Sequence, residues 1–183
     1  MTVTAERLTL DEFLARDFPP RTQLVNGEVV VNPPRKRHDR IAFHLARRLA
    51  EWVETVGSGE AGIALGWTAD DQSYFVPDAW WVRDAERLSE NALLTAGYPD
   101  IVIEVRSPST WRYDIGPKRA AYEQAGVAEL WFVDLESETV VVNRRSKPEV
   151  LEFDVLLELG RGEALVSPLL RRFSITIDEL FDR

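Results

Sequence analysis

The chain has 183 residues, of which 45% are apolar and 29% charged. This size and composition fit one domain with its own core and exclude wholesale disorder and fibrous repeats. No apolar run approaches the roughly 20 residues of a membrane-spanning helix, and the N-terminal segment carries charges where a signal peptide is apolar. We therefore expect a single cytoplasmic domain over residues 1–183 that neither spans nor binds a membrane.

The residue types also limit the chemistry. The chain has no cysteine and only two histidines. The absence of cysteine excludes disulfides, thiolate zinc sites and cysteine nucleophiles. Any metal is then expected to be held by oxygen ligands, which favours Mg, Mn or Ca.

Charge is distributed unevenly around a net value of -9. Residues 35–48 (RKRHDRIAFHLARR) contain six lysine or arginine residues and a single acid, Asp39. Lysine and arginine bind nucleic-acid backbone by displacing counterions, although a charge run is also typical of a solvated face. The candidate nucleic-acid contacts are Arg35, Lys36, Arg37 and Arg40.

Local signals place the first elements. Thr9-Leu-Asp-Glu12 is a capping box that predicts a helix over 10–17, and Asn26-Gly27 predicts a tight hairpin with a type I′ turn. Apolar residues at spacings of three and four predict an amphipathic helix over 39–56.

The rest of the chain reads mainly as strands. A helix is predicted to have Pro117 in its first turn and to end at Gly126, and Thr176 caps a short terminal helix. The predicted strands cover 60–68, 74–82, 100–106, 129–135, 139–145 and 150–159. This order predicts one α/β (or α+β) domain around a mixed sheet.

The common nucleotide-binding and catalytic motifs do not assign a function to this sequence. Gly57–Gly62 matches GxGxxG literally, but it follows a helix and enters a strand, whereas a dinucleotide fingerprint does the reverse. We interpret it as a loop. A phosphate-binding loop and a nucleophile elbow are absent from the sequence, and the two histidines lack a convincing serine and aspartate for a triad.

Two acids on predicted strands are the main chemical signal. Alternation places Asp78 on the same face as Trp80, and Glu104 on the face opposite Ile101 and Ile103. If the two strands pair, Asp78 and Glu104 approach closely enough to share a cation. Converging carboxylates repel unless a proton or metal lies between them, so a hard divalent ion is the expected occupant.

Such a site suits phosphodiester hydrolysis, in which a nearby cation stabilises the charge of the transition state. Arg106 and Lys118 are the candidate cations, and only the lysine could also act as a base. The alternative is that Asp78 and Glu104 are structural acids ion-paired with these cations, with Lys118 a solvated residue of the first helical turn. Asp114 is interpreted as the cap of that helix.

These residues carry a family resemblance. Pro77-Asp78 followed by Glu104-Val-Arg106 resembles the signature of the PD-(D/E)xK nuclease superfamily. The segments LVNGEVVVNPPRKRHDRI, VPDAWWV and GYPDIVIEVRSPSTWRYDIGPKRAAYEQAGVAELWFVD are similar to the bacterial Uma-two group of restriction-endonuclease-like proteins. The similarity extends from about residue 9 to residue 181.

The resemblance implies a restriction-endonuclease-like αβββαβ core flanked by helices, with an N-terminal β-hairpin. It also implies metal binding by Asp78, Glu104 and the Val105 carbonyl, with Lys118 as the superfamily lysine moved onto a helix. Glu28 and His38 match recurrent family positions and are possible helpers.

Two positions depart from the pattern, because Gln23 stands where relatives often have Glu and Arg106 where the superfamily has its lysine. The expected function is a Mg- or Mn-dependent DNA endonuclease that acts on duplexes as a homodimer. The alternative is a catalytically inactive nuclease-fold module that binds nucleic acid or a protein partner.

Overall fold

Short helices and strands follow one another along the described chain. The computed structural model of the protein describes residues 7–33, 35–56, 58–88, 97–107 and 110–182. The helices are α1 (Leu10–Leu14), α2 (Lys36–Val56), α3 (Trp111–Tyr113), α4 (Arg119–Ala125) and α5 (Ile177–Phe181). The strands are β1 (Thr22–Val25), β2 (Glu28–Val31), β3 (Glu60–Gly62), β4 (Trp67–Asp70), β5 (Ser73–Phe75), β6 (Ala79–Val82), β7 (Ile101–Val105), β8 (Glu129–Asp134), β9 (Thr139–Arg144), β10 (Val155–Leu159), β11 (Ala164–Leu165) and β12 (Ile175–Thr176). A 3₁₀ turn covers Ala85–Arg87, and a π-helical turn, Asp114–Lys118, joins α3 to α4.

The strands form a mixed central sheet and two smaller sheets. The central sheet has six strands in the order β10-β9-β8-β7-β6-β3. Strands β7 and β8 are parallel and are connected through α3 and α4, whereas the other neighbours are antiparallel. The second sheet has the order β2-β1-β5-β4, and β11 pairs with β12. Within the central sheet, the sequence α2-β3-β6-β7-α4-β8 gives the αβββαβ core, so the fold-class prediction is confirmed.

Alternation along β7 sends its side chains to two different layers. Ile101 and Ile103 join the core cluster that contains Leu45 of α2 and Leu180 of α5. Val102 faces the other layer, which α4 and the second sheet cover. Because Glu104 shares the face of Val102, its carboxyl group enters the layer beside α4, which is where the candidate site forms.

Several local predictions are confirmed. The Thr9–Glu12 capping box is present, although α1 ends at Leu14 rather than residue 17. Asn26 and Gly27 both have positive φ, 50° and 79°, as a type I′ turn requires. The Thr176 hydroxyl accepts from the backbone N–H of Glu179 at 3.0 Å.

Two predicted strands are wrong because each is divided. Residues 74–82 belong to β5 and β6 in different sheets. Pro77 lies between them, and proline cannot donate to a strand ladder. Residues 60–68 similarly contain the separate strands β3 and β4, with Ala64 at φ 53° between them. The strand predicted over 150–159 is limited to β10.

The helix boundaries also differ from the predictions. Helix α2 begins at Lys36 instead of residue 39, so most of the basic run is helical. The later helical segment begins at Trp111, which makes both the Pro117 start and the Asp114 cap wrong. Pro117 lies inside the π-helical turn, where the Arg119 N–H reaches the Asp114 carbonyl five residues back. This wider turn accommodates a ring that would clash within a regular α-helix.

Within the described ranges, no helix combines the length and the apolar character needed to cross a membrane. The GxGxxG segment enters β3 as predicted, and its first residue, Gly57, lies outside the described residues.

Candidate active site

Asp78, the residue before β6, lies opposite Glu104 of the adjacent strand β7. The antiparallel register of β6 and β7 pairs Ala79 with Ile103, and Asp78 and Glu104 are each one position further along. The Asp78 N–H donates to the Ile103 carbonyl at 3.1 Å, and the Val105 N–H donates to Asp78 Oδ2 at 2.8 Å. The Asp78 carboxylate therefore continues the ladder where Pro77 interrupts it, and this fixes its orientation beside Glu104.

The Glu104 carboxyl group is buried and receives two donors from the helical segment above it. Lys118 Nζ lies 2.6 Å from Glu104 Oε1, and the Tyr122 hydroxyl donates to the same oxygen at 2.8 Å. The Lys118 side chain is only 1% exposed, so its interpretation as a solvated residue is wrong. Tyr122 packs against Trp67 and Phe75, with ring centroids 5.2 and 5.7 Å away.

Asp114 is a second carboxylate on Lys118. Its Oδ1 lies 3.0 Å from Lys118 Nζ, and its side chain is 4% exposed. Sequence reasoning missed the roles of Asp114 and Tyr122, although the spacing contained the signal. Asp114, Lys118 and Tyr122 recur every four residues, which places them on one helical face.

Burial and mutual repulsion dominate the electrostatics of this cluster. The pKa of Glu104 is raised to about 8, because the effects of burial and of the nearby Asp114 and Asp78 charges outweigh the lowering effect of Lys118. Burial lowers the pKa of Lys118, but Asp114 and Glu104 outweigh it and hold the pKa above its ordinary value. Burial likewise raises the pKa of Asp114 against the attraction of Lys118. The Lys118 ammonium thus contacts two carboxyl groups, and Asp78 adds a further negative charge near Glu104, so the cluster favours a bound proton or a further cation.

His38 supports Asp78 from the start of α2. Its side chain is 2% exposed, with Nε2 at 3.3 Å from Asp78 Oδ2 and Nδ1 at 3.1 Å from Asp39 Oδ1. Burial lowers the pKa of His38, but the hydrogen bonds and charges of Asp78 and Asp39 raise it overall. Asp39 is in turn paired with Arg21. His38 therefore bridges two acids, Asp39 and Asp78.

The donor set fits a hard cation. Both groups that contact the Glu104 carboxylate lie against Oε1, and both groups that contact the Asp78 carboxylate lie against Oδ2. Asp78 Oδ1 and Glu104 Oε2 accept no hydrogen bond from the part of the chain that the structure describes. Carboxylate oxygens are the ligands that Mg and Mn prefer. Within the described ranges, no group of three or more His, Cys, Asp or Glu side chains is arranged to hold a metal.

Arg106 is directed away from the carboxylates. Its guanidinium lies 2.6 Å from Asp134 Oδ2 and 3.2 Å from Glu136 Oε2, and it stacks over Trp111 at 5.3 Å from the ring centroid. The structure thus brings Lys118, and not Arg106, onto Glu104.

A second surface, the basic cleft, opens beside His38. It is lined by Arg35, Lys36, Arg37, His38, Arg106, Leu135 and Glu136. Arg35, Lys36 and Arg40 are exposed, but Arg37 donates to the Leu135 carbonyl at 2.8 Å and pairs with Glu138. The cleft nevertheless presents cations next to the candidate active site.

Two further residues have structural partners. Glu28 Oε2 accepts from the Tyr113 hydroxyl at 2.9 Å, which ties the hairpin to α3. Gln23 Oε1 accepts from the Val76 N–H at 3.0 Å and holds the segment before Pro77. The helper role of Glu28 and the metal-ligand role of the Val105 carbonyl stay predictions.

The αβββαβ core and its carboxylate–lysine cluster define a restriction-endonuclease-like protein. Residues 10–178 match the model of the Uma2 family, described as "Putative restriction endonuclease". This match extends over most of the chain, and the protein therefore belongs to the Uma2 family. Membership supports a nuclease-like function with nucleic acid as the substrate.

Two individual proteins are similar to this chain. The chain is 26% identical over 129 residues to an uncharacterized protein of Synechocystis sp. PCC 6803, covering 67% of this chain and 71% of the relative. It also superimposes on the crystal structure of a putative nuclease of DUF820 from Anabaena variabilis with a TM-score of 0.80 at 22% identity, covering 96% of this chain and 98% of the other. This second likeness supports the fold.

Proposed function

We propose that the protein is a Mg- or Mn-dependent DNA endonuclease of the PD-(D/E)xK type, formed by one domain and acting on duplexes as a homodimer. One observation carries the proposal: Asp78 and Glu104 converge on adjacent strands, and the buried Lys118 ammonium lies 2.6 Å from Glu104. Asp78, Glu104 and the Val105 carbonyl would hold the ion. When bound, it polarises the scissile phosphate and lowers the pKa of water.

The chain's own groups have distinct roles in this reaction. His38 and the Val105 N–H fix the Asp78 carboxylate. Tyr122 and Lys118 fix Glu104, and Lys118 supplies positive charge for the phosphate as negative charge builds up in the transition state. Arg106 and the exposed residues of the basic cleft, Arg35 and Lys36, contact neighbouring phosphates.

A plasmid-nicking assay tests the proposal. The wild-type protein is compared with Asp78→Asn and Glu104→Gln in Mg, in Mn and with EDTA, each variant being first checked for cooperative unfolding. Glu158→Gln is the matched control, because it removes an exposed carboxylate on β10. Cleavage that is lost in both variants and in EDTA, but kept in the control, supports the proposal. Cleavage that survives Glu104→Gln contradicts it.

The ion pairs of Arg106 with Asp134 and Glu136 favour a second candidate, a non-catalytic module that binds nucleic acid. Such a module binds DNA with an affinity that falls steeply with salt and is insensitive to Glu104→Gln. Fluorescence anisotropy at several salt concentrations distinguishes it from the enzyme when no nicking is seen.

A further inference from the structure

Strand β10 is the outer strand of the central sheet, at the edge opposite β3. It pairs with β9 over its whole length, from Val155 with Arg144 to Leu159 with Val140, without a bulge. Among the described residues, no strand pairs with its other side. Since alternate residues of an antiparallel strand direct their N–H and C=O groups outward, this side presents backbone groups to which a further strand can bind.

The residues of β10 do not protect this edge. Natural edge strands are commonly blocked by lysine, proline or a bulge, and β10 (VLLEL) has none of the three. Leu156 and Leu157 are 68% and 39% exposed, and they lie on opposite faces because side chains alternate along a strand. An exposed apolar edge of this kind is a surface for strand pairing.

One face of β10 continues the hydrophobic core towards the edge of the sheet. Leu157 is opposite Val142 of β9, which is fully buried in the core cluster of α2 and α5. Leu159 packs against the same cluster, and Val155 lies on this face too. The apolar layer of the core therefore extends to the outermost strand.

The strand is also complementary to itself. About a two-fold axis at Leu157, antiparallel pairing places Leu157 opposite Leu157 of a second copy, and Val155 opposite Leu159. These apolar pairs all lie on the face that continues the core. On the other face, Glu158, the one charged residue of β10, lies opposite Leu156 rather than opposite a second carboxylate. Like charges therefore do not face each other directly, which would weaken the pairing.

The other edge of the central sheet is a poorer partner for β10. Strand β3 has only three residues, Glu60–Gly62, against the five of β10. Pairing β10 of one copy with β3 of the next would also repeat without closing, whereas a pair of β10 strands closes after two copies. Two-fold dimers are the commonest soluble oligomers.

We propose that two copies of the chain dimerise by pairing β10 with β10 about a two-fold axis at Leu157, which joins their six-stranded sheets. The inference rests on the proposed function, because it identifies the interface of the homodimer that the endonuclease is proposed to form. Strands β8 and β9 separate β10 from β7, so substitutions in β10 can change the dimer without altering the carboxylates of the candidate active site.

Sedimentation velocity over a range of protein concentrations tests the pairing, with cooperative thermal unfolding of each variant checked first. Leu157→Lys brings two ammonium groups together and removes the apolar contact in both copies, so the dissociation constant of the dimer is expected to rise on the order of 100-fold. The control Val56→Lys adds the same charge at the end of α2, where the valine is 48% exposed, and is expected to keep the dimer. The neutral Glu158→Gln is also expected to keep it.

Mixing two variants tests the position of the axis. Leu157→Glu alone is expected to weaken the dimer as Leu157→Lys does, but equal amounts of the two are expected to form a mixed dimer, since opposite charges then meet at the axis.

Cross-linking gives an independent measurement, because the chain has no cysteine of its own. Leu157→Cys is expected to form a disulfide-linked dimer on mild oxidation, since directly opposite residues have the short Cβ separation that a disulfide needs. Val56→Cys, treated in the same way, is expected to run as a monomer on a denaturing gel.

The contrary results are distinct. A wild-type dimer that survives Leu157→Lys, a mixture that dimerises no better than its two components, or a dimer of Leu157→Cys that does not cross-link overturns the inference and leaves the proposed homodimer to another face. Wild-type protein that stays monomeric overturns both the inference and the homodimer, while metal-dependent nicking by that monomer would still support the endonuclease. Absence of nicking by a protein that dimerises through Leu157 contradicts the proposed function and leaves the inference standing.

Discussion

Replacing Lys118 with methionine tests whether one ammonium holds the carboxylate cluster together. The change keeps most of the apolar volume but removes the charge between Glu104 and Asp114, which lie 2.6 and 3.0 Å from Nζ. Removing one partner of a buried ion pair typically costs about 3–5 kcal/mol, because the other charges stay buried without compensation. With a urea m-value of about 2 kcal/mol/M, the unfolding midpoint is expected to fall by about 1.5–2.5 M.

The assay is urea unfolding followed by the fluorescence of the six tryptophans. Burial already holds the pKa values of Glu104 and Asp114 above their ordinary values in the wild type, and loss of the Lys118 cation raises both further. Stability is then retained at low pH and lost as pH rises, which makes the deficit of Lys118→Met larger at pH 8 than at pH 5. Adding Asp114→Asn removes one uncompensated charge and is expected to recover about 1–3 kcal/mol.

The matched control is Lys147→Met, which removes an exposed lysine. It is expected to stay within about 0.5 kcal/mol of wild type. A Lys118→Met protein as stable as this control, or a purely additive double variant, would refute the reasoning.

Three further predictions follow from the same contacts. Tyr122→Phe keeps the ring packing but removes the hydroxyl that donates to Glu104, so the nicking rate is expected to fall about tenfold. The control Tyr113→Phe, which removes the hydroxyl that donates to Glu28, is expected to leave the rate unchanged. Equal nicking rates for the two variants would contradict the positioning role of Tyr122. Mn at about 100 times its Kd is expected to stabilise the wild type by about 2.7 kcal/mol in thermal unfolding and to leave Asp78→Asn unaffected; an equal shift in both would place the ion elsewhere. Burial raises the pKa of Asp134, but hydrogen bonds from the Glu136 N–H and Arg106 lower it overall. The stability that these contacts contribute is therefore present above the unfolded-state pKa of Asp134 and is lost as pH falls through its folded-state pKa. In Asp134→Asn, Tm is expected to fall less steeply as the pH is lowered.

Local sequence signals predicted much of the fold. The Asn26-Gly27 turn, the Thr9–Glu12 capping box, the Thr176 cap and the alternation of β7 depend on residues close together in sequence, and the structure confirms them. The same alternation placed Glu104 on the face opposite Ile103, and the pairing of β6 with β7 placed Asp78 opposite it. The two acids of the candidate site were therefore predicted from the alternation, on the condition that their strands pair.

The errors arose where an unusual backbone geometry decides the outcome. Pro77 ends one strand segment and sends β5 and β6 to different sheets, which a continuous alternation conceals. The π-helical turn around Pro117 moves the helix start to Trp111 and buries Asp114 instead of using it as a cap. The pairing of Arg106 with Asp134 depends on the parallel neighbour β8, and residue types alone do not show that contact.

The most direct test of the central claim is titration of the wild-type protein with Mn by isothermal calorimetry, alongside Asp78→Asn, Glu104→Gln and the control Glu158→Gln. The account predicts saturable binding to the wild type and the control, and a loss of binding of at least tenfold in both site variants. Equal affinity in all four proteins would show that Asp78 and Glu104 do not form the metal centre and would contradict the account.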